Sequence, residues 1–364
     1  AISIDVACLP VMRRRWTSQM AMVCALSVEV GLRNLRHKPT CFAHLSRRSI
    51  SGRSHIETPL IFSDAFSKHL GADVFLKLDL LQPSGSFKLR GIGLTVKEAV
   101  DAGAQCIVSS SGGNAGLAAA YAARDFKLPC TVVLPTTTPE SVQQRLAFYG
   151  ADVMVHGSVW DEADRKAQEV VEERQGAYVH PFDQESTWRG HATVVEEISR
   201  QLPSAPDAIV TCVGGGGLLM GILEGVKAAA WSSTRVVACE TTGANCLAES
   251  LAAQKLVTLP AIQSIAKSLG ALRPSEAVFE RCREMDSGSF QSAVFSDKQA
   301  VAACLRLANE HRLLVEPACG AAVAAVTEKS LSLQGMRSVV LQLCGGAVVS
   351  HDQLSKWAHD FHLE

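Results

Sequence analysis

Lys88 stands in a setting that suits chemistry. It lies in the run Gln82-Pro83-Ser84-Gly85-Ser86-Phe87-Lys88-Leu89-Arg90-Gly91. A proline, two serines and a glycine force a turn there, and Ser84 or Ser86 is placed to cap the helix that follows. A cation in the first turn of a helix is disfavoured. Flanked by apolar Phe87 and Leu89, such an amine would be partly neutral and nucleophilic. A solvated lysine beside a helix cap is the other reading, and the local residues leave both open.

Three further turns could hold ligands. Ser109-Ser110-Ser111-Gly112-Gly113-Asn114-Ala115-Gly116 separates an apolar run from an Ala-rich helical pattern. Its glycines admit a ligand close to the backbone, and free N–H groups at the helix start would bind a carboxylate. Val213-Gly214-Gly215-Gly216-Gly217-Leu218-Leu219-Met220-Gly221 holds four consecutive glycines, which are entropically costly and suit a phosphate cradled by backbone N–H groups. No Lys-Ser/Thr pair follows, so this is not a Walker loop, and Gly214, Gly216 and Gly221 do not fit G-x-G-x-x-G. In each case a plain strand-to-helix turn is the alternative. Leu343-Cys344-Gly345-Gly346 ends an apolar run; Cys344 is either core or a thiol presented at a strand end. The set offers a nucleophilic amine, a carboxylate site and a phosphate site. An aldehyde cofactor with a phosphate handle, acting on an amino acid, needs these three.

The elements between these turns predict an α/β fold. Val74 to Leu76, Cys106 to Val108, Thr131 to Leu134, Asp152 to Val155, Ala208 to Val210, Arg235 to Ala238 and Ser338 to Leu343 read as strands. Helical patterns intervene, among them 94–102, 115–124 and 140–149. Near-continuous β-branched strands alternating with helices indicate a mostly parallel sheet covered on both faces. Ligands of such sheets bind at the carboxyl ends of the strands, where the four turns lie.

Composition narrows the classes. The 364 residues suffice for one large domain or two ordinary ones, and 47% hydrophobic with 20% charged residues is ordinary for a globular protein. No apolar run is long enough for a membrane span. A net charge of -1 gives no reason to expect nucleic acid. Residues 1–53 nonetheless carry nine Lys or Arg against Asp5 and Glu29, a balance of +7, and the rest carries -8. This segment reads as an organelle transit peptide or a disordered extension. None of the 12 cysteines forms a C-x-x-C pair or a zinc-spaced cluster. Several, namely Cys106, Cys130, Cys212, Cys239 and Cys344, lie in apolar runs, and a chain this long needs no disulfide staples, which fits a reducing compartment.

P-S-G-S-F-K-L-R-G, S-S-S-G-G-N-A-G, G-G-G-G-L and C-G-G, in this order, resemble the serine/threonine dehydratases of the fold-type-II pyridoxal-phosphate (PLP) group. Trp188-Arg189-Gly190-His191-Ala192 and Ala266-Lys267-Ser268-Leu269-Gly270 resemble the animal-type serine dehydratases and their serine dehydratase-like relatives. The resemblance runs from about His55 to at least Asp352. It implies a tryptophan-synthase-β-like fold of two open, mostly parallel sheets with the cofactor between them. Residues 54–82 plus 186–364 would form a large domain, 83–185 a small one, and 1–53 an extension.

The resemblance also implies residue roles. Lys88 would carry PLP as a Schiff base and act as general base. Phe87 would lie against the pyridine ring, Asn114 would meet the phenolic oxygen, and Cys344 would face the ring nitrogen. Gly214, Gly215, Gly216, Gly217 and Leu218 would bind the phosphate. Ser111, Gly112 and Asn114 would hold the substrate carboxylate, with Ser111 placed for a catalytic part. A monovalent cation such as K+ would use Gly214, Glu240, Ala244, Cys246, Leu269 and Ala271. The implied reaction is dehydration and deamination of L-serine, and of L-threonine, by a cytoplasmic homodimer, or an organellar one if residues 1–53 are a transit peptide. Neither nucleic acid nor membrane would be a partner.

The departures favour a lyase. Gly112 replaces the serine of serine racemases, Leu89 replaces the aspartate of cysteine-synthase-like enzymes, and Ala347 stands where a polar residue is expected. A racemase, a β-replacement synthase, a weakly active PLP-binding homologue and a dinucleotide-binding oxidoreductase are the alternatives.

Overall fold

The computed structural model describes residues 52–158 and 160–363. The choice between a targeting and a disordered N-terminal extension therefore lies outside the described residues, except for Gly52 and Arg53. The first half runs β1 (Leu60–Phe62), α1 (Asp64–Leu70), β2 (Asp73–Lys77), α2 (Lys88–Asp101), β3 (Ile107–Ser109), α3 (Asn114–Asp125), β4 (Cys130–Leu134), α4 (Glu140–Phe148), β5 (Asp152–Val155), α5 (Trp160–Arg174) and β6 (Ala177–Tyr178). The second half runs α6 (Glu185–Gln201), β7 (Ala208–Cys212), α7 (Gly217–Ala228), β8 (Arg235–Thr241), α8 (Cys246–Ala253), α9 (Glu276–Arg283), β9 (Phe290–Phe295), α10 (Asp297–His311), α11 (Pro317–Thr327), β10 (Ser338–Gln342) and α12 (His351–Asp360).

The strands form two sheets, as expected. The larger has the order β1-β2-β10-β7-β8-β9 and the smaller β5-β4-β3-β6. Every pairing is parallel except that of β1 with β2 at one edge. Central strands are buried on both faces, so Ala208–Cys212 and Cys130–Leu134 are buried throughout. The edge strand Phe290–Phe295 buries its two end phenylalanines and leaves its middle partly in solvent.

Two features fix α2, the helix that begins at Lys88. The first is close packing on α6. A Cβ built on Gly91 would meet Thr187 O at 2.5 Å and the His191 ring at 2.6 Å, so only glycine allows this approach. The second is a buried ion cluster. Arg90 donates to Asp79 Oδ1 at 2.7 Å and to both Glu197 oxygens at 2.6 and 2.7 Å, and Lys77 donates to Glu197 Oε2 at 2.6 Å. Gln342 and Thr58 complete the shell of Asp79. The side chains of Arg90, Lys77 and Asp79 are wholly buried. Two cations and two carboxylates thus tie α2 to β2, α6 and β10.

Candidate active site

The four turns lie at strand ends and helix starts. Three of the helices that follow lack a side-chain cap: α2 after Phe87, α3 after Gly113 and α7 after Gly216. By contrast, Ser63, Ser275, Ser296 and Ser350 cap α1, α9, α10 and α12. The expectation that Ser84 or Ser86 caps the lysine helix is not met. Phe87 takes the cap position, and both serine hydroxyls are buried without a partner.

Lys88 is the first residue of α2. Its start is held in place from Cys344, whose carbonyl accepts the Phe87 N–H at 2.8 Å, and by a bridge between Ser86 and Gly345. The Lys88 amine donates to Pro181 O at 2.5 Å and lies 5.2 Å from the centre of the Phe87 ring. Burial lowers its pKa to about 8, against the opposing pull of Cys212, Cys344 and Glu316. Phe87 itself packs 5.0 Å, centre to centre, from the His191 ring.

The glycine loop reaches the same place through Phe182, next to Pro181. A Cβ on Gly215 would lie 2.4 Å from the Phe182 ring, and one on Gly217 would lie 2.5 Å from Phe182 O. Gly216 has φ +101°, where side chains are strained. Leu218 is buried in the first turn of α7. The N–H groups there have no side-chain cap and are free to meet an anion.

Asn114 opens α3 and donates through Nδ2 to Glu316 Oε1 at 2.8 Å, while its Oδ1 has no partner. The Ser111 hydroxyl does not stand free; it accepts from Gly113 N at 3.3 Å. A Cβ on Gly112 would face Leu134 and Val142 at 3.3 Å and Thr138 at 3.5 Å, an apolar wall. Cys344 is buried, with its sulfur 3.3 Å from that of Cys212. Its sulfur neighbours and its burial keep it a neutral thiol.

Glu316 escaped the sequence reading. It takes the position before α11 without a side-chain cap bond, is buried, and bonds Asn114 and Ser268. Burial pushes its pKa up to about 7, and its Oε2 has no partner. A signal existed: Glu316 is the one charged residue between Leu313 and Val326, directly before a proline. Pro181 and Phe182 carry no comparable signal.

Of the residues named for a cation, Gly214, Cys246 and Leu269 lie together. Cys246 Sγ is 3.8 Å from Gly214 O, and the backbone of Leu269 would be 3.0 Å from a Cβ on Gly214. Glu240 accepts the N–H groups of Leu247 and Ala248 at the start of α8; burial nevertheless raises its pKa to about 8. Leu269 O accepts from Ala271 N, and buried Ala244 donates to Thr241 O. No cluster of three or more metal-ligating side chains occurs among the described residues.

These features fit a phosphate-bearing aldehyde. A desolvated amine, an uncapped glycine-lined helix start and unpartnered polar atoms on Asn114, Glu316 and Ser86 converge around one region. Comparison with known proteins agrees. The family model described as pyridoxal-phosphate dependent enzyme matches residues 53–345. A human protein named serine dehydratase-like is 45% identical over 308 residues, covering 82% of this chain and 93% of its own. A bovine L-serine dehydratase/L-threonine deaminase is 44% identical, covering 84% and 95%. The crystal structure of a fungal L-serine ammonia-lyase from Rhizomucor miehei superposes with a TM-score of 0.78 at 32% identity, covering 84% of this chain and 99% of that one. The chain therefore belongs to the family of pyridoxal-phosphate dependent enzymes.

Proposed function

We propose that this chain eliminates water and ammonia from L-serine, giving pyruvate, and acts likewise on L-threonine, giving 2-oxobutanoate. The observation that carries this reading is the Lys88 amine, desolvated at a helix start and joined through Pro181 and Phe182 to the glycine loop. The names of the similar human, bovine and fungal proteins support the substrate class.

In this reading the bound cofactor supplies the electron sink. Lys88 would hold the group through its amine, and that amine, with its pKa lowered to about 8, is matched to taking the substrate's Cα proton. The N–H groups of 214–218 hold the phosphate. Ser111, Gly112 and Asn114 orient the substrate carboxylate. Cys344, a neutral thiol, would be the residue beside the ring nitrogen and would supply no negative charge to keep it protonated. The apolar wall beside Gly112 offers no second acid/base group at that position, which favours elimination over racemisation. Residues 83–185, which include the smaller sheet, would form the small domain beside the larger one. A monovalent cation, if bound, would be held among Gly214, Glu240 and Cys246 and would favour the charged form of Glu240, whose pKa burial raises.

The test is incubation with L-serine while pyruvate, ammonia and D-serine are measured together. Pyruvate and ammonia in equal amounts are expected. D-serine as the main product, or no product from loaded enzyme, would overturn the reading.

A further inference from the structure

Cys212 neighbours Lys88 and Cys344 but has no role in the proposed chemistry, yet its position gives it one. It ends β7, and Val213 alone separates it from the glycine loop. Cys344 lies just beyond the end of β10, the strand paired with β7. The two sulfurs are 3.3 Å apart, within hydrogen-bond distance, and either thiol could be the donor. Cys319, in the first turn of α11, is a second sulfur partner of Cys344. All three thiols are buried. The backbone of Cys344 meanwhile holds the start of the lysine helix, through Phe87 N.

We propose that Cys212 is a positioning residue, whose S–H bond to Cys344 leaves the Cys344 proton directed at the nitrogen of the cofactor ring. A thiol has one proton and can accept from others. If Cys212 donates to Cys344, the single Cys344 proton is not needed for that contact. It is then free to donate into the site, and a donor that itself accepts a hydrogen bond is polarised into a better one. Without the Cys212 donor, the Cys344 proton turns to its sulfur neighbours and the ring nitrogen loses its partner. The inference rests on the reading that Cys344 faces that nitrogen, and the test separates the two.

The experiment uses loaded enzyme and follows the absorption band of the bound cofactor as a function of pH, with cofactor content measured alongside. Cys212→Val keeps apolar volume but removes the donor; Cys212→Ala removes it too, should valine hinder loading. Cys212→Ser keeps a donor. Loss of one weak hydrogen bond should move the midpoint by about 0.4 to 1 pH unit. The expected result is such a shift in Cys212→Val and in Cys344→Ala, with Cys212→Ser near the parent. A shift in Cys344→Ala with none in Cys212→Val or Cys212→Ala overturns the inference and leaves the Cys344 reading standing. No shift in any variant means that Cys344 does not face the nitrogen, and both fall.

Discussion

Replacing Arg90 with methionine should destabilise the protein strongly and in a pH-dependent way. The guanidinium lies between two buried carboxylates, and with Lys77 it balances their charge. Methionine keeps much of the apolar volume but leaves one carboxylate unpaired. Breaking a buried pair from one side costs about 3–5 kcal/mol. For a chain of this size each kcal/mol moves Tm by about 1–2 °C, so a fall of roughly 3–10 °C is expected at pH 8. The sign with pH follows from the parent's balance. Burial pushes Asp79 and Glu197 up, but Arg90, with Lys77, outweighs it and holds both below their ordinary values. Their contribution in the parent is thus present above the ordinary carboxylate range and lost as pH falls through the lowered values. In the variant the unpaired carboxyl loses that opposing pull and its pKa rises. Its penalty is full above the raised pKa and fades as pH falls through it. Thermal melts of parent and variant at pH 8 and pH 5 provide the assay. A deficit under about 2 °C at pH 8, below the cost of even one broken buried pair, would refute the reasoning. So would an equal deficit at both pH values.

Gly215→Ala should weaken cofactor retention about fivefold to a hundredfold, because its Cβ would drive into the Phe182 ring and disturb the adjoining carbonyl that holds Lys88; absorbance after dialysis measures it, and full retention would count against the link. Cofactor capture by apoenzyme requires the neutral Lys88 amine, whose pKa is lowered to about 8. Its rate should therefore climb about tenfold per pH unit and level off near pH 8, where an ordinary lysine would keep climbing to about 10.4; stopped-flow absorbance distinguishes the two.

Which features could be read from sequence follows from how each is made. Central strands such as Ala208–Cys212 are buried on both faces, so their apolar runs are unbroken and easily read. The edge strand Leu60–Phe62 is only three residues long and buries none of them fully, and Phe290–Phe295 mixes buried and exposed residues, so neither stands out. The lysine helix reads as helical only from about Leu94, because Gly91 and Gly93 dilute its propensity. Gly91 is there for the contact with α6, a tertiary demand that overrides the local one. The glycine turns were legible because backbone approach to a ligand leaves a mark in composition. Pro181, Phe182 and the Cys212–Cys344 contact were not, since each joins segments far apart in the chain.

One covalent bond underlies the whole functional reading, and chemical trapping examines it directly. Loaded enzyme is reduced with borohydride, digested, and mapped by mass spectrometry. The expected result is the cofactor's added mass on the peptide containing Lys88 and on no other, with none in Lys88→Ala. The same mass on Lys77 or Lys267, or its persistence in Lys88→Ala, would contradict it.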